Sequence, residues 1–265
     1  PASFTKIASS ELLMTIKAGA MMSTYQGKLS MSETEALNTA MPINIVNRLI
    51  GNPTRNYINF LLPGMMLAIV QVAVAMNAAS SKIVKKSSGI IDFFKNVMKN
   101  LIDYGILGIV SAVLILAVQH YIFDVSIKAS YTSILLLLIV FMLTVVSMSL
   151  LIASIFSKKQ VFATQVAAVW FIPSSILSGY SWPLISMPDF FRQISSFMPY
   201  TYFVSTLRNL MLKGHSYDYK TNIAMLLILT LGSLILSLVS FVIRKQILKR
   251  NITLKSLSGR KVLHD

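Results

Sequence analysis

Five stretches of about 20 residues, each uncharged at its centre, dominate the alternation of apolar and polar positions along the chain. They run from Ile58 to Ala79, Leu101 to Phe123, Ser133 to Phe156, Val161 to Pro183 and Asn222 to Ile243. A helix needs about 20 mostly apolar residues to cross roughly 30 Å of hydrocarbon, so each stretch is predicted to span a membrane. The third, SILLLLIVFMLTVVSMSLLIASIF, and the fifth, NIAMLLILTLGSLILSLVSFVI, are uninterrupted. The fourth carries Pro173 with Ser174, Ser175 and Ser178, which predicts a kink or an unwound turn near its far end. The expected fold is all-α, a polytopic membrane helix bundle.

Composition agrees with that pattern. Hydrophobic residues make up 55% of the chain and charged residues 12%, with a mean hydropathy of +0.68; soluble domains carry about 25% charged residues. Most soluble enzyme folds are thereby excluded. The net charge of +15 does not require nucleic acid, because the basic residues flank the apolar segments, where lipid headgroups account for them. The absence of cysteine rules out disulfides, thiolate metal sites and cysteine nucleophiles. His120, His215 and His264 are too scattered to form a metal site by themselves.

Charge also orients the bundle. One side holds Lys82, Lys85, Lys86, Lys95 and Lys99, the Lys158-Lys159 turn, and a tail with Arg244, Lys245, Lys249, Arg250, Lys255, Arg260 and Lys261. That side is denser in Lys and Arg, so it is expected to be cytoplasmic together with the C-terminus. Residues 1–57 then lie outside, although nothing in them resembles a signal peptide. They are expected to be the end of an extracytoplasmic domain, followed by a transmembrane permease domain over 58–265. Because the chain starts at Pro1, an earlier membrane helix is expected upstream, giving six in the intact subunit. Within the leader, ELLMTIKAGAMM and ETEALNTA read as helices and PINIV as a short strand.

The spans lack the equipment of an ion-coupled transporter, which keeps ionisable groups inside the bilayer. Asp103 and His120, near opposite ends of the second span, fit snorkelling better. The remaining spans hold only neutral polar groups, among them Asn59, Gln71, Asn77, Ser149 and Gln165. No G-x-x-x-x-G-K-[ST] phosphate loop occurs, and no channel-filter motif. No bound cofactor is expected on this chain; energy must come from a separate subunit carrying ATP and Mg.

Two amphipathic elements are candidates for function. From Gly89 onward, Ile90, Phe93, Phe94, Val97, Met98 and Leu101 follow a helical period opposite Asp92, Lys95, Asn96 and Lys99. This predicts a helix along the inner surface, resting on anionic lipid or gripped by a cytosolic partner. Between the fourth and fifth spans, DFFRQISSFM and PYTYFVSTLRNLML are helices too short to cross, separated by Pro199. They are expected to form an outer re-entrant pair, or to lie on the surface with Tyr180, Trp182, Tyr200 and Tyr202 at headgroup level. An interfacial anchor and a lid over a substrate path both fit.

That second element also carries a recognisable signature. Ser178-Gly179 with Pro183, Met187-Pro188, Pro199 with Thr201 and Tyr202, Leu207-Arg208, and Gly214 resemble the type-2 permease family of ABC transporters. The resemblance is to the subgroup with an extracytoplasmic domain between its first two helices. The run Arg48 to Pro53 and Leu62-Pro63-Gly64-Met65 resembles that family's entry into the next helix. One departure lies in the first cytoplasmic loop, where members usually have Glu and a Gly-Thr pair; here Lys82 to Gly89 retains only the glycine.

The resemblance implies a membrane permease subunit without its own ATPase site. It implies a second permease subunit, the same or different, and a cytosolic ATPase dimer. It also implies a bacterial inner-membrane location, contact with lipids and, in some members, a periplasmic adaptor. Lys85, Lys86, Gly89, Phe93 and Phe94 are the candidate ATPase-coupling residues. The candidate re-entrant signature is Ser178, Gly179, Pro183, Met187, Pro188, Pro199, Thr201, Tyr202, Arg208 and Gly214. The expected function is export of an amphipathic, lipid-like, drug-like or peptide cargo. The alternative is a non-transporting scaffold that passes ATPase motion to an envelope partner.

Overall fold

The computed structural model describes residues 16–17, 19–27, 32, 35, 57–182 and 184–261, with backbone alone at 57–60, 85–86 and 248–261. The chain divides into a unit over Pro1–Arg48 and a second over Leu49–Asp265. In the first, residues 19–27 are helical. Ser32 and Glu35 form a capping box, the Ser32 hydroxyl accepting from the Glu35 amide at 3.3 Å while the Glu35 carboxylate accepts from the Ser32 amide at 3.3 Å. Glu35, within the predicted ETEALNTA segment, is helical; the rest of that segment lies outside the described residues. The predicted strand at PINIV and the Arg48-to-Pro53 motif lie outside the described residues.

The second unit is helical, with no strand among the described residues. In chain order it comprises α1 (Tyr57–Ala79), α2 (Ile83–Lys86), α3 (Ile90–Phe123), α4 (Tyr131–Ile155), α5 (Gln160–Phe171) and α6 (Ser174–Leu177). A 3₁₀ turn (Leu184–Ser186), α7 (Asp189–Ser196), α8 (Pro199–Lys213) and α9 (Tyr219–Lys261) follow. Among the described residues, five segments are long and apolar enough to cross a membrane: Leu61–Ala79, Ile90–Phe123, Tyr131–Ile155, Gln160–Leu177 and Tyr219–Ile247. The five-span, all-helical architecture is therefore the one the hydropathy pattern predicts. One end of the bundle gathers α2, the Phe156–Lys159 turn and the Arg244-Lys245 step; it is called the basic end below. The other gathers the α3–α4 connection with α7 and α8, the signature end.

The fourth span breaks where proline requires it. Helix α5 stops at Phe171, and α6 restarts at Ser174. Pro173 has no N–H to donate and its ring clashes with the carbonyl four residues back. The break would leave the Phe171 carbonyl unpaired in an apolar interior, which costs several kcal/mol in hydrocarbon. Instead, the Ser174 hydroxyl donates to it at 2.6 Å, and Gln71 Nε2 from α1 reaches both the carbonyl, at 3.4 Å, and the Ser174 hydroxyl, at 2.6 Å. Gln71, fully buried, thus braces the broken helix.

The α4–α9 contact is the most extensive pairing in the bundle. The two helices run parallel in a constant register. Tyr219 donates to the Ser133 carbonyl (2.9 Å), Thr144 and Thr230 hydroxyls meet at 2.9 Å, and Ser233 donates to Ser147 at 2.7 Å, each pair 86 residues apart. Both helices are apolar all round, so hydrophobicity alone cannot choose a rotation between them. Small hydroxyl residues let the backbones approach and set the register. Replacing Thr144 with Val keeps the volume and removes the bond, and should lower bundle stability by about 0.6–2 kcal/mol. A double-mutant cycle with Thr230→Val in detergent unfolding measures the coupling; a value indistinguishable from zero would refute the register role.

Two expectations change. The amphipathic stretch from Gly89 is not a separate helix along the surface, because α3 runs unbroken over 34 residues from Ile90 to Phe123. A helix with neither proline nor break between those residues cannot both cross the bilayer and lie flat on it. Helix α8, in turn, is packed against α9, α4 and α1 instead of floating at a headgroup surface. Tyr180 and Tyr200 are 5% and 0% exposed, so they are core residues and not interfacial anchors.

Candidate functional site

At the signature end the residues of the motif form a set of locks. Pro188 occupies the N-cap position of α7 and Pro199 the first turn of α8, where a missing N–H costs nothing. Met187 is buried beside them. Thr201 donates to the Ser195 carbonyl at 2.8 Å, and the Tyr202 hydroxyl to the Ser196 carbonyl at 2.8 Å, hooking α8 back onto α7. Ser178 closes the end of α6, donating to the Ser175 carbonyl at 3.1 Å. Gly179 follows with φ +83°, and a Cβ there would lie 2.6 Å from Leu184 Cγ, so turn and packing both demand glycine. Gly214, also left-handed, ends α8 with its amide on the Leu210 carbonyl. Pro183 lies outside the described residues.

These locks converge on α1. The Gly64 amide donates to the Tyr180 hydroxyl at 3.1 Å, and the Tyr200 hydroxyl donates to the Gly64 carbonyl. A Cβ on Gly64 would come within 2.8 Å of the Tyr180 hydroxyl and closer still to its ring. Arg208 donates to the Tyr180 carbonyl at 2.8 Å, and its guanidinium carbon lies 4.2 Å from the centre of the Tyr180 ring. Phe203 stacks on Phe141 of α4 at 3.8 Å between ring centres, with Tyr200 tilted against both. Asn222 of α9 donates to Thr206 at 2.7 Å. The apolar side chains of α8 (Phe203, Val204, Leu207, Leu210, Met211) are buried, packed against other helices. The structure adds Gly64, Tyr180 and Tyr200 as the centre of the arrangement. The only sequence signal for them was the Pro63-Gly64 pair and the tyrosines flanking the motif.

At the basic end the candidate coupling residues separate into two sets. Gly89 caps α3 with an extended backbone, and a Cβ there would meet open space, so packing within this subunit does not require glycine. Phe93 is 2% exposed and stacks on Phe241 of α9, ring centres 4.3 Å apart. Phe94 is 61% exposed and Ile91 72%. The face predicted as one apolar stripe is thus split: Phe93, Val97 and Leu101 turn into the bundle, while Ile90, Phe94 and Met98 turn outward. Lys245 donates to the Ser88 carbonyl and Arg244 to the Ser157 hydroxyl, so one turn of α9 holds both connections at this end of the bundle. Asn96 donates to Ser87 at 2.9 Å, and Ser88 to Asp92, fixing the turn into α3. The side chains of Lys85 and Lys86 lie outside the described residues; their backbone closes the single turn of α2.

Five membrane-long segments among the described residues, a broken fourth span and a locked helix pair before the last span make an all-helical, polytopic membrane protein. The family model described as "ABC-2 family transporter protein" matches residues 2–239, and the chain belongs to that family. It is 30% identical over 201 residues to ABC transporter G family member 20 of Dictyostelium discoideum, covering 72% of this chain and 27% of that protein. It is 29% identical over 209 residues to the probable multidrug ABC transporter permease YbhS of Escherichia coli K12, covering 76% of this chain and 53% of that protein. The chain therefore spans about half or less of the length of these curated relatives. No solved structure matches it.

Proposed function

We propose that this chain is the membrane part of an ATP-driven exporter that moves an amphipathic, drug-like, lipid-like or peptide cargo out of the cytoplasm. A separate ATPase docks on the basic end, which faces the cytoplasm, and a second permease subunit completes the pathway in a bacterial inner membrane. A periplasmic adaptor is a further candidate partner. The observation that carries the reading is the split face of α3. Phe94 and Ile91 stand exposed beside the glycine cap, while Phe93, one residue away, is stacked into α9. A partner pressing on the exposed side therefore moves the buried side with it. The signature-end locks then give this motion a single body to act on, since α8 is tied to α1, α4, α7 and α9. Family membership supports an ATPase partner, and the multidrug designation of the Escherichia coli relative supports a drug-like cargo. Shifting such a bundle between two packed states requires only that ATP binding favour one of them.

Reconstitution of the full-length permease with its cognate ATPase in vesicles tests this directly. ATP-dependent movement of a fluorescent amphipathic dye or short-chain lipid out of the ATPase-facing compartment is the expected result. Intact ATP hydrolysis with no movement of either would turn the assignment toward a scaffold that does mechanical work on a partner.

A further inference from the structure

At the signature end, α3, α4 and the segment joining them line a half-open groove with a volume of about 420 Å³ that none of the locks occupies. Its floor is Leu116, Ile134 and Leu138, which are 6%, 4% and 1% exposed. Its mouth carries His120, Tyr121 and Tyr131, the tyrosines 84% and 69% exposed. We propose that this groove is a phospholipid site, taking an acyl chain of the surrounding leaflet with the glycerophosphate head at its mouth.

Depth along α4 selects that occupant. Helix α4 extends from Tyr131 to Ile155, so Leu143 marks its middle. At 1.5 Å per residue, Leu138 lies about 7 Å from that middle and Tyr131 about 18 Å. The hydrocarbon half-thickness is about 15 Å. A bilayer centred on α4 therefore puts the floor among acyl chains and the mouth at the headgroups. The chemistry changes along the same axis. Below are aliphatic side chains that offer water no partner; above are two phenols, Thr132 and the His120 imidazole. The His120 ring is held by its Nδ1 at 2.9 Å from the Val125 carbonyl, and Lys128 is exposed in the same connection, one residue from the lining Ile127. Left empty in hydrocarbon, an open apolar groove of this size would forfeit dispersion contacts along its walls. A flexible methylene chain restores those contacts, and a phosphate beside phenols, imidazole and ammonium finds donors. The occupant is a lipid of the bilayer, not the transported cargo, and the inference does not depend on the direction of transport.

The test uses the full-length permease reconstituted with its ATPase in vesicles of phosphatidylcholine carrying a diazirine on one acyl chain. After irradiation, adducts are mapped by peptide mass spectrometry. Expected adducts concentrate on residues 113–138, at least fivefold above those around Ile235, an outward position on α9 that is 62% exposed. Filling the groove by Ala117→Trp should remove that excess and leave the Ile235 adducts unchanged. Leu135→Trp, at a rim position 43% exposed, gives the same reading if the first variant does not fold. Adducts at 113–138 no denser than at Ile235, or an excess that both tryptophans leave intact, would overturn the proposal. So would protection of the whole region, which would mean that another polypeptide fills the groove.

Discussion

Gly64→Ala is expected to lower the unfolding temperature of the purified permease by on the order of 5–10 °C and to abolish transport. Alanine has good helix propensity, and in an isolated helix the change would stabilise it. Here the added methyl would occupy space held by the Tyr180 ring, which is fixed on its other side by Arg208. Overpacking at such a site costs about 1–3 kcal/mol. Displacing the ring also removes the Gly64–Tyr180 hydrogen bond, worth about 0.5–1.5 kcal/mol. A few kcal/mol is a large share of the 5–15 kcal/mol that typically separates folded from unfolded domains, and one kcal/mol shifts melting by about 2–4 °C at this chain length. Tyr200→Phe, which removes only the hydroxyl donated to Gly64, should cost about 1 kcal/mol. If Gly64→Ala melted within a degree of the parent while Tyr200→Phe melted well below it, the close approach of α1 to Tyr180 would not be the constraint inferred here.

Phe94→Asp and Phe93→Asp should fail in different ways, although the two residues are neighbours. At position 94 the side chain is mostly exposed, so stability should change by no more than about 0.5 kcal/mol. The expected loss is at least tenfold in ATP-driven transport and in stimulation of the ATPase, because the apolar contact proposed for the partner is removed. At position 93 the ring is buried against Phe241, and replacing it costs about 3–5 kcal/mol before the penalty of a buried carboxylate is added. That variant should yield little folded protein. Comparing detergent-extracted yield and melting with transport in vesicles separates the two. A Phe94→Asp permease that folds and transports like the parent would remove the docking role of this face.

These two predictions rest on distinctions that periodicity cannot make. A 3.6-residue period places Phe93 and Phe94 on one apolar stripe, since both fall within its arc. Which edge of the stripe faces α9 depends on where Phe241 comes to lie, and Phe241 is 148 residues away in the chain (241 minus 93). For the same reason α8 reads, in sequence, as part of a re-entrant pair or as a surface helix. Its apolar face matches a bilayer as well as it matches other apolar helices, and only the neighbours α1, α4 and α9 decide between them. The N-terminal extension of α3 escapes the pattern for a different reason: the polar face of Asp92, Lys95 and Lys99 suggests a boundary at Leu101, but helix continuity depends on the absence of proline or a cap, not on polarity.

What the amino-acid order determined by itself is whatever a single segment can express. The five spans follow from length and hydropathy, the break in the fourth span from Pro173, and the start of α8 from Pro199. What only the tertiary structure decided is pairwise: Gly64 between Tyr180 and Tyr200, Gln71 bracing the break, the register of Thr144 on Thr230 and Ser147 on Ser233, and the groove between α3 and α4. The physical reason is that apolar helices resemble one another to a hydrocarbon solvent, so their rotation and partners are chosen by steric fit and a few hydrogen bonds between residues distant in sequence.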